Sequence, residues 1–187
     1  MPQCNISRNP PIRSWAKVPE KNCFVRTIRR PYYPRMAVRK LKLLAISSGG
    51  GHWVQLLRVR RAFEGCNVVY VTVKEGYRAD VGNERFHVIP DANRWNKWAL
   101  LRSAFAVYRV VFKERPDIVI STGAAPGYFG IAIGRLFGAR TIWVDSIANG
   151  EELSLSGHRA RRFADLWLTQ WPHLAARDGP FYRGSVL

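Results

Sequence analysis

From Leu41 onward, short apolar runs alternate with longer stretches in which apolar residues return every three or four positions. Short runs rich in β-branched residues predict strands, and the three-to-four spacing predicts helices. Strands are expected at Leu41–Ser47, Asn67–Val73, Phe86–Ile89, Asp117–Ser121, Arg140–Asp145 and Leu166–Thr169. Helices are expected at Trp53–Phe63, Lys97–Lys113, Tyr128–Phe137 and Arg159–Ala164, the second stopped before Pro116 and the third by Gly138. The strands are apolar on both faces, and strand and helix alternate. Together these features predict an α/β fold, a Rossmann-like parallel sheet with helices on both faces. The chain shows no internal repeat.

Residues 1–40 lie outside that pattern. They hold Asn9-Pro10-Pro11 and Arg30-Pro31, which interrupt any helix, and they follow neither period. They are read as a basic, proline-containing, disordered tail, with 41–187 as the folded domain; Met36 is a candidate for the true start. The tail carries ten Lys or Arg against one acid, Glu20, which is over half of the chain's formal charge of +17. Such a charge calls for an anionic partner: nucleic acid, a membrane surface or phosphorylated substrates. A polybasic tail gains about 1 kcal/mol per cation near an anionic membrane. At 187 residues and 47% hydrophobic, the chain is long enough for one domain with a proper core. Cys4, Cys23 and Cys66 form no CxxC pair, so neither a zinc knuckle nor a disulfide framework is indicated, and a reducing cytoplasm fits best. There is no run of 18 apolar residues to cross a membrane and no apolar signal core behind the basic N-terminus.

Four segments carry candidate chemistry. Ser47-Ser48-Gly49-Gly50-Gly51-His52 joins the first strand to the first helix. Backbone N–H groups of Ser48, Gly49, Gly50 and Gly51 at a helix start suit a phosphate, although the glycines equally suit a plain tight turn. The run is not GxGxxG, and Lys74 stands before the nearby acid Glu75, which argues against a dinucleotide oxidoreductase. His52 is a candidate general base or a helix-capping residue. Ser121 to Gly127 is a second small-residue turn, in which Thr122 and Gly123 are candidates for the same ligand. Asp145 to Glu152 is a third strand-end loop; Asp145 and Glu152 there can accept from sugar hydroxyls or simply cap and solvate the loop. The fourth segment is the helix Lys97–Lys113, with Trp98, Leu101, Phe105, Tyr108 and Phe112 in one stripe. Arg94, Lys97, Arg102, Arg109 and Lys113 surround the stripe, and Trp95 stands at its head. Either this helix is core, or Trp95, Trp98, Leu101, Phe105, Arg102 and Arg109 face a membrane. His52, His87, His158 and His173 lack ligand spacing, so no metal site is read, and no cofactor is.

The order of these motifs resembles a known family. SSGGGHWVQLLRV (47–59), VISTGAAPG (119–127), VDSIANGEELSLSG (144–157), ADLWLTQWP (164–172) and FYRGSVL (181–187) look like the PssD family of exopolysaccharide glycosyltransferase subunits. They are similar also to the membrane-recruiting subunit of the eukaryotic two-part N-acetylglucosaminyltransferase and, more distantly, to the N-terminal half of MurG. The resemblance implies the N-terminal half of a GT-B glycosyltransferase. This half would handle a lipid-linked sugar acceptor at the cytoplasmic face of a membrane. A separate PssE-like subunit would bind the donor, UDP-glucuronic acid or UDP-N-acetylglucosamine. His52 would match the histidine that closes the glycine loop of MurG-like enzymes. The chain ends where a full GT-B enzyme continues into its donor domain, so the resemblance implies no turnover without the partner. The eukaryotic subunit has a membrane-spanning helix where this chain has its basic tail. The competing reading is a basic nucleic-acid-binding α/β module; against it, no reading motif is present and the charge concentrates in the tail, so nucleic acid is not expected as a partner.

Overall fold

The computed structural model describes residues 39–92 and 95–186. The expected tail, apart from its last two residues, lies outside them, as do Arg94 and Leu187.

Among the described residues, seven strands form one parallel sheet: β1 (Lys42–Ile46), β2 (Asn67–Thr72), β3 (Arg85–Val88), β4 (Ile118–Ser121), β5 (Arg140–Val144), β6 (Leu166–Thr169) and β7 (Phe181–Tyr182). Their spatial order is β3-β2-β1-β4-β5-β6-β7. The chain steps outward from β1 to β3 and then crosses back to lay β4 on the other side of β1. The strand-end loops of β1 and β4 therefore diverge, which opens a crevice at the carboxyl edge.

The alternation inside β1 shows why helices cover both faces. Leu43 and Ala45 pack with Trp53, Leu56 and Phe63, on the side of α1 (Gly51–Arg58) and the 3-10 turn that extends it to Phe63. Leu44 and Ile46 point to the other side and pack with Val107, Val111 and Ile131, from α2 (Lys97–Glu114) and α3 (Ala124–Leu136). In α3, a Cβ on Gly130 would lie 2.6 Å from Ile46 and one on Gly134 2.6 Å from Val119. The helix axis sits too close to the sheet for any larger residue at those two positions.

Several elements differ from the expected ones. α3 begins at Ala124 rather than Tyr128, because Pro126 falls in its first turn, where the missing N–H has no partner to lose. The last helix, α4, is Leu155–Ala160 rather than Arg159–Ala164, since the Ser154 hydroxyl accepts the Gly157 N–H at 2.8 Å and starts it early. β7 was not expected; two residues carry no readable period.

α2 has two faces of different character. Asn96 caps it, accepting the Ala99 N–H at 2.9 Å. Ser103, Val107, Val111 and Glu114 are buried. The aromatic stripe lies outward: Trp98 is 77% exposed and Phe105 60%, with Leu101, Tyr108 and Phe112 also exposed. No helix among the described residues is long and apolar enough to cross a membrane.

Candidate functional site

The loops after β1, β4 and β5 leave the same edge of a parallel sheet, so topology alone gathers them. Two hydrogen bonds stitch the first two together across the crevice. The Thr122 hydroxyl donates to the His52 carbonyl at 2.7 Å, and His52 Nδ1 lies 2.9 Å from the Thr122 carbonyl. A carbonyl only accepts, so Nδ1 carries the proton in this contact. In the neutral ring, Nε2 then holds the lone pair.

Gly123 makes this arrangement possible. Its φ is 139°, and a Cβ there would sit 2.4 Å from His52 Nδ1. Next to it, Ala124 has a φ of 64°, a left-handed conformation unusual for alanine. Backbone strain of this kind persists where surrounding structure over-determines it, often at ligand sites.

His52 lines a cleft of about 510 Å³, together with Leu100, Ala124, Tyr128, Ser146 and Arg159. Leu155 and Ser154 add to the same wall. The size suits a small ligand, and the lining mixes apolar surface with a few hydroxyls and one fixed cation.

The other predicted residues divide between the cleft and its supports. Gly50 has a φ of 67° and donates its N–H to the Tyr77 hydroxyl at 2.9 Å, while Gly49 faces the same ring. Within the glycine loop, that N–H therefore already has an internal acceptor. The Ser48 hydroxyl turns to the Gly49 carbonyl at 3.4 Å. Asp145 is buried and holds its own loop: it accepts from the Ser154 hydroxyl at 2.6 Å, the Ser154 N–H at 2.9 Å and the Trp143 indole at 3.2 Å. Glu152 is exposed and borders a separate cavity of about 390 Å³, with Glu151 and Trp171, rather than the cleft. Trp95, Trp98, Leu101, Arg102, Phe105 and Arg109 are all exposed, on α2 or just before it. Among the described residues no His, Cys, Asp and Glu gather as metal ligands.

Sequence reasoning missed a buried amide chain beneath the cleft. Gln55 on α1 donates to the Ser146 hydroxyl at 3.1 Å and accepts from Gln170 at 3.0 Å. Gln170 also donates to the Asp145 carbonyl at 2.8 Å and accepts the Val186 N–H at 3.0 Å. The signal was faint: a glutamine amid the apolar positions of a helix and another just after a strand.

No family model matches the chain. It is similar to the UDP-N-acetylglucosamine transferase subunit ALG14 of Yarrowia lipolytica, 27% identical over 164 residues, 73% of this chain and 76% of that one. The same subunit from Eremothecium gossypii is 26% identical over 169 residues, 68% of this chain and 71% of that one. Among solved structures it matches MurG of Acinetobacter baumannii with a TM-score of 0.62 at 17% identity, over 78% of this chain and 45% of that one. It also matches UDP-N-acetylglucosamine 2-epimerase of Rickettsia bellii, with a TM-score of 0.56 at 13% identity, over 72% and 40%. The chain thus spans under half the length of these solved structures. Its fold is a Rossmann-like parallel α/β sheet of the kind found in the GT-B enzyme MurG, and its sequence is similar to the ALG14 subunits.

Proposed function

We propose that this chain is the acceptor-side, membrane-associating subunit of a two-part UDP-N-acetylglucosamine transferase, with the donor held by a separate subunit. Of the two donors that the sequence motifs pointed to, this is the one that the relatives' names carry. The observation that carries the reading is His52. Its ring is clamped across the β1/β4 crevice through Nδ1, which leaves Nε2 for a proton on the wall of a part-apolar cleft. A lipid-linked sugar would lie in that cleft. As the acceptor oxygen bonds the anomeric carbon of the donor, its proton passes to Nε2 and UDP leaves with the electron pair of the broken bond. Thr122 and Gly123 hold the ring, and Ser146 and Arg159 are placed to orient the acceptor. The exposed stripe of α2, flanked by Lys97, Arg102, Arg109 and Lys113, would lie on the cytoplasmic face of the membrane and keep the cleft beside its lipid substrate.

The test is sugar transfer from UDP-N-acetylglucosamine to a lipid-linked acceptor in membranes, with the chain alone and with a donor-binding partner added. The chain alone is expected to be inactive and the pair active. His52→Ala in the pair should lower turnover by about a hundredfold or more, the usual range for a lost general base. Turnover by the isolated chain would overturn the two-part reading, and unchanged activity of the alanine variant would overturn the role of His52.

A further inference from the structure

The edge of the sheet opposite the cleft holds a second cavity, of about 820 Å³, with different chemistry. It lies where α2 and α3 end and β4 and β5 begin, lined by Arg115 and Asp117 on one side, Phe137 and Arg140 on the other, and Leu41. Among the described residues, neither the Arg115 nor the Arg140 guanidinium has a carboxylate partner. The one acid of the cavity is already engaged. Asp117 accepts the Lys42 N–H at 2.8 Å and the Arg39 guanidinium at 2.6 Å, and these bonds hold its carboxyl below the usual range. With Asp117 neutralised by Arg39, the cavity keeps two uncompensated positive charges.

Arg115 stands in an unusual place. It follows the last turn of α2 with a φ of 45°, the left-handed position that glycine normally fills. Its guanidinium lies 5.6 Å from the centre of the Phe112 ring. Phe112 in turn touches Phe137 at 6.2 Å between ring centres, and Tyr108 touches both. All three rings are exposed. The charged cavity therefore shares its wall with the outward stripe of α2.

We infer that this cavity seats the headgroup of an anionic phospholipid, with the phosphate on Arg115 and Arg140 and the acyl chains over Phe112, Phe137 and Tyr108. The inference rests on the membrane reading of α2 given above. Guanidinium forks match phosphate oxygens two at a time. A free phosphate would use the arginines and leave the adjoining rings in water; a phospholipid uses both. Arg102 and Arg109 are exposed farther along α2, so they can draw the protein to any anionic surface without forming this seat.

The full chain is titrated by calorimetry with dihexanoyl phosphatidic acid below its micelle concentration, with dihexanoyl phosphatidylcholine and with inorganic phosphate. Saturable one-to-one binding of the phosphatidic acid alone is expected. Arg115→Gly/Arg140→Ala should weaken it at least tenfold, and glycine suits the left-handed backbone, so that variant stays folded. Arg102→Ala/Arg109→Ala should leave it within twofold. The proposal is overturned by wild-type affinity in the Arg115→Gly/Arg140→Ala variant, by inorganic phosphate binding as tightly as the lipid, or by no saturable binding at all. Flotation with phosphatidylcholine–phosphatidylserine vesicles tests the parent reading separately. Vesicle binding that Trp98→Ser/Phe105→Ser abolishes, without short-chain lipid binding, removes the headgroup seat and keeps the membrane face.

Discussion

Gly123 and Glu114 show how much a single residue can carry at opposite edges of the sheet. At Gly123 both the backbone and the space are restrictive: φ is 139°, and a methyl group would meet the His52 ring. Gly123→Ala should keep the fold and displace that ring, lowering transfer by the reconstituted pair by about tenfold or more, while thermal unfolding stays cooperative; a 1 Å misplacement of a reacting group can cost a hundredfold. Glu114 is 4% exposed and accepts from Arg85 at 2.9 Å and from His87 at 3.0 Å, with Lys42 at 3.5 Å. Burial pushes its carboxyl upward, but the His87 hydrogen bond and the Arg85 and Lys42 charges outweigh this, and the group titrates below its ordinary value. A depressed carboxyl stabilises the fold above its unfolded value and loses that contribution as pH falls through the folded one. Glu114→Gln should therefore cost about 1.5 kcal/mol at pH 7, as for lost charge-assisted hydrogen bonds to partners that water still reaches, and the gap to wild type in urea titrations should narrow as pH falls below the carboxylate range. His52 was legible because it closes a glycine loop at a strand end. Glu114 was not, since its partners lie 27 to 72 residues away and only the folded sheet brings them together. Asp145 could be read as an acid beside the cleft, but not as the residue that fastens Ser154, because that depends on how the loop doubles back.

Among the elements, α2 is the informative one. Its spacing identified a helix to within a residue at each end, and its stripe was visible as a stripe. The sequence could not say which side faced the core. The side that packs bears Ser103, Val107 and Val111, small residues that let α2 lie close to its neighbours, and the bulkier aromatic side stays outside. The two faces should respond to mutation in opposite ways. Trp98→Ser/Phe105→Ser should shift stability by less than about 0.5 kcal/mol, as exposed substitutions do, and lower vesicle binding about tenfold. Val107→Ala should cost about 2 kcal/mol in chemical denaturation and leave vesicle binding of the folded protein unchanged. The central strands were equally readable as short, mostly apolar runs. β7 was not, because two edge residues owe their conformation to β6.

At the scale of the whole chain, the proposed membrane face would draw on charge and apolar surface as complementary means of binding. Over half of the +17 lies in residues 1–40, while the stripe lies on the folded domain. Raising ionic strength from about 0.05 to 0.5 M shortens the Debye length severalfold. It should weaken vesicle binding and leave a salt-resistant remainder, which Trp98→Ser/Phe105→Ser removes in the same flotation assay. The outward stripe has one more consequence, for the nascent chain. A helix whose bulkier aromatic side belongs outside can dock on the half-built sheet rotated by about half a turn, trapping Trp98 and Phe105 where Val107 and Val111 should be. Bilayer or detergent present during synthesis shields the wrong side first. Yields of correctly folded protein should therefore depend on what the ribosome is surrounded by.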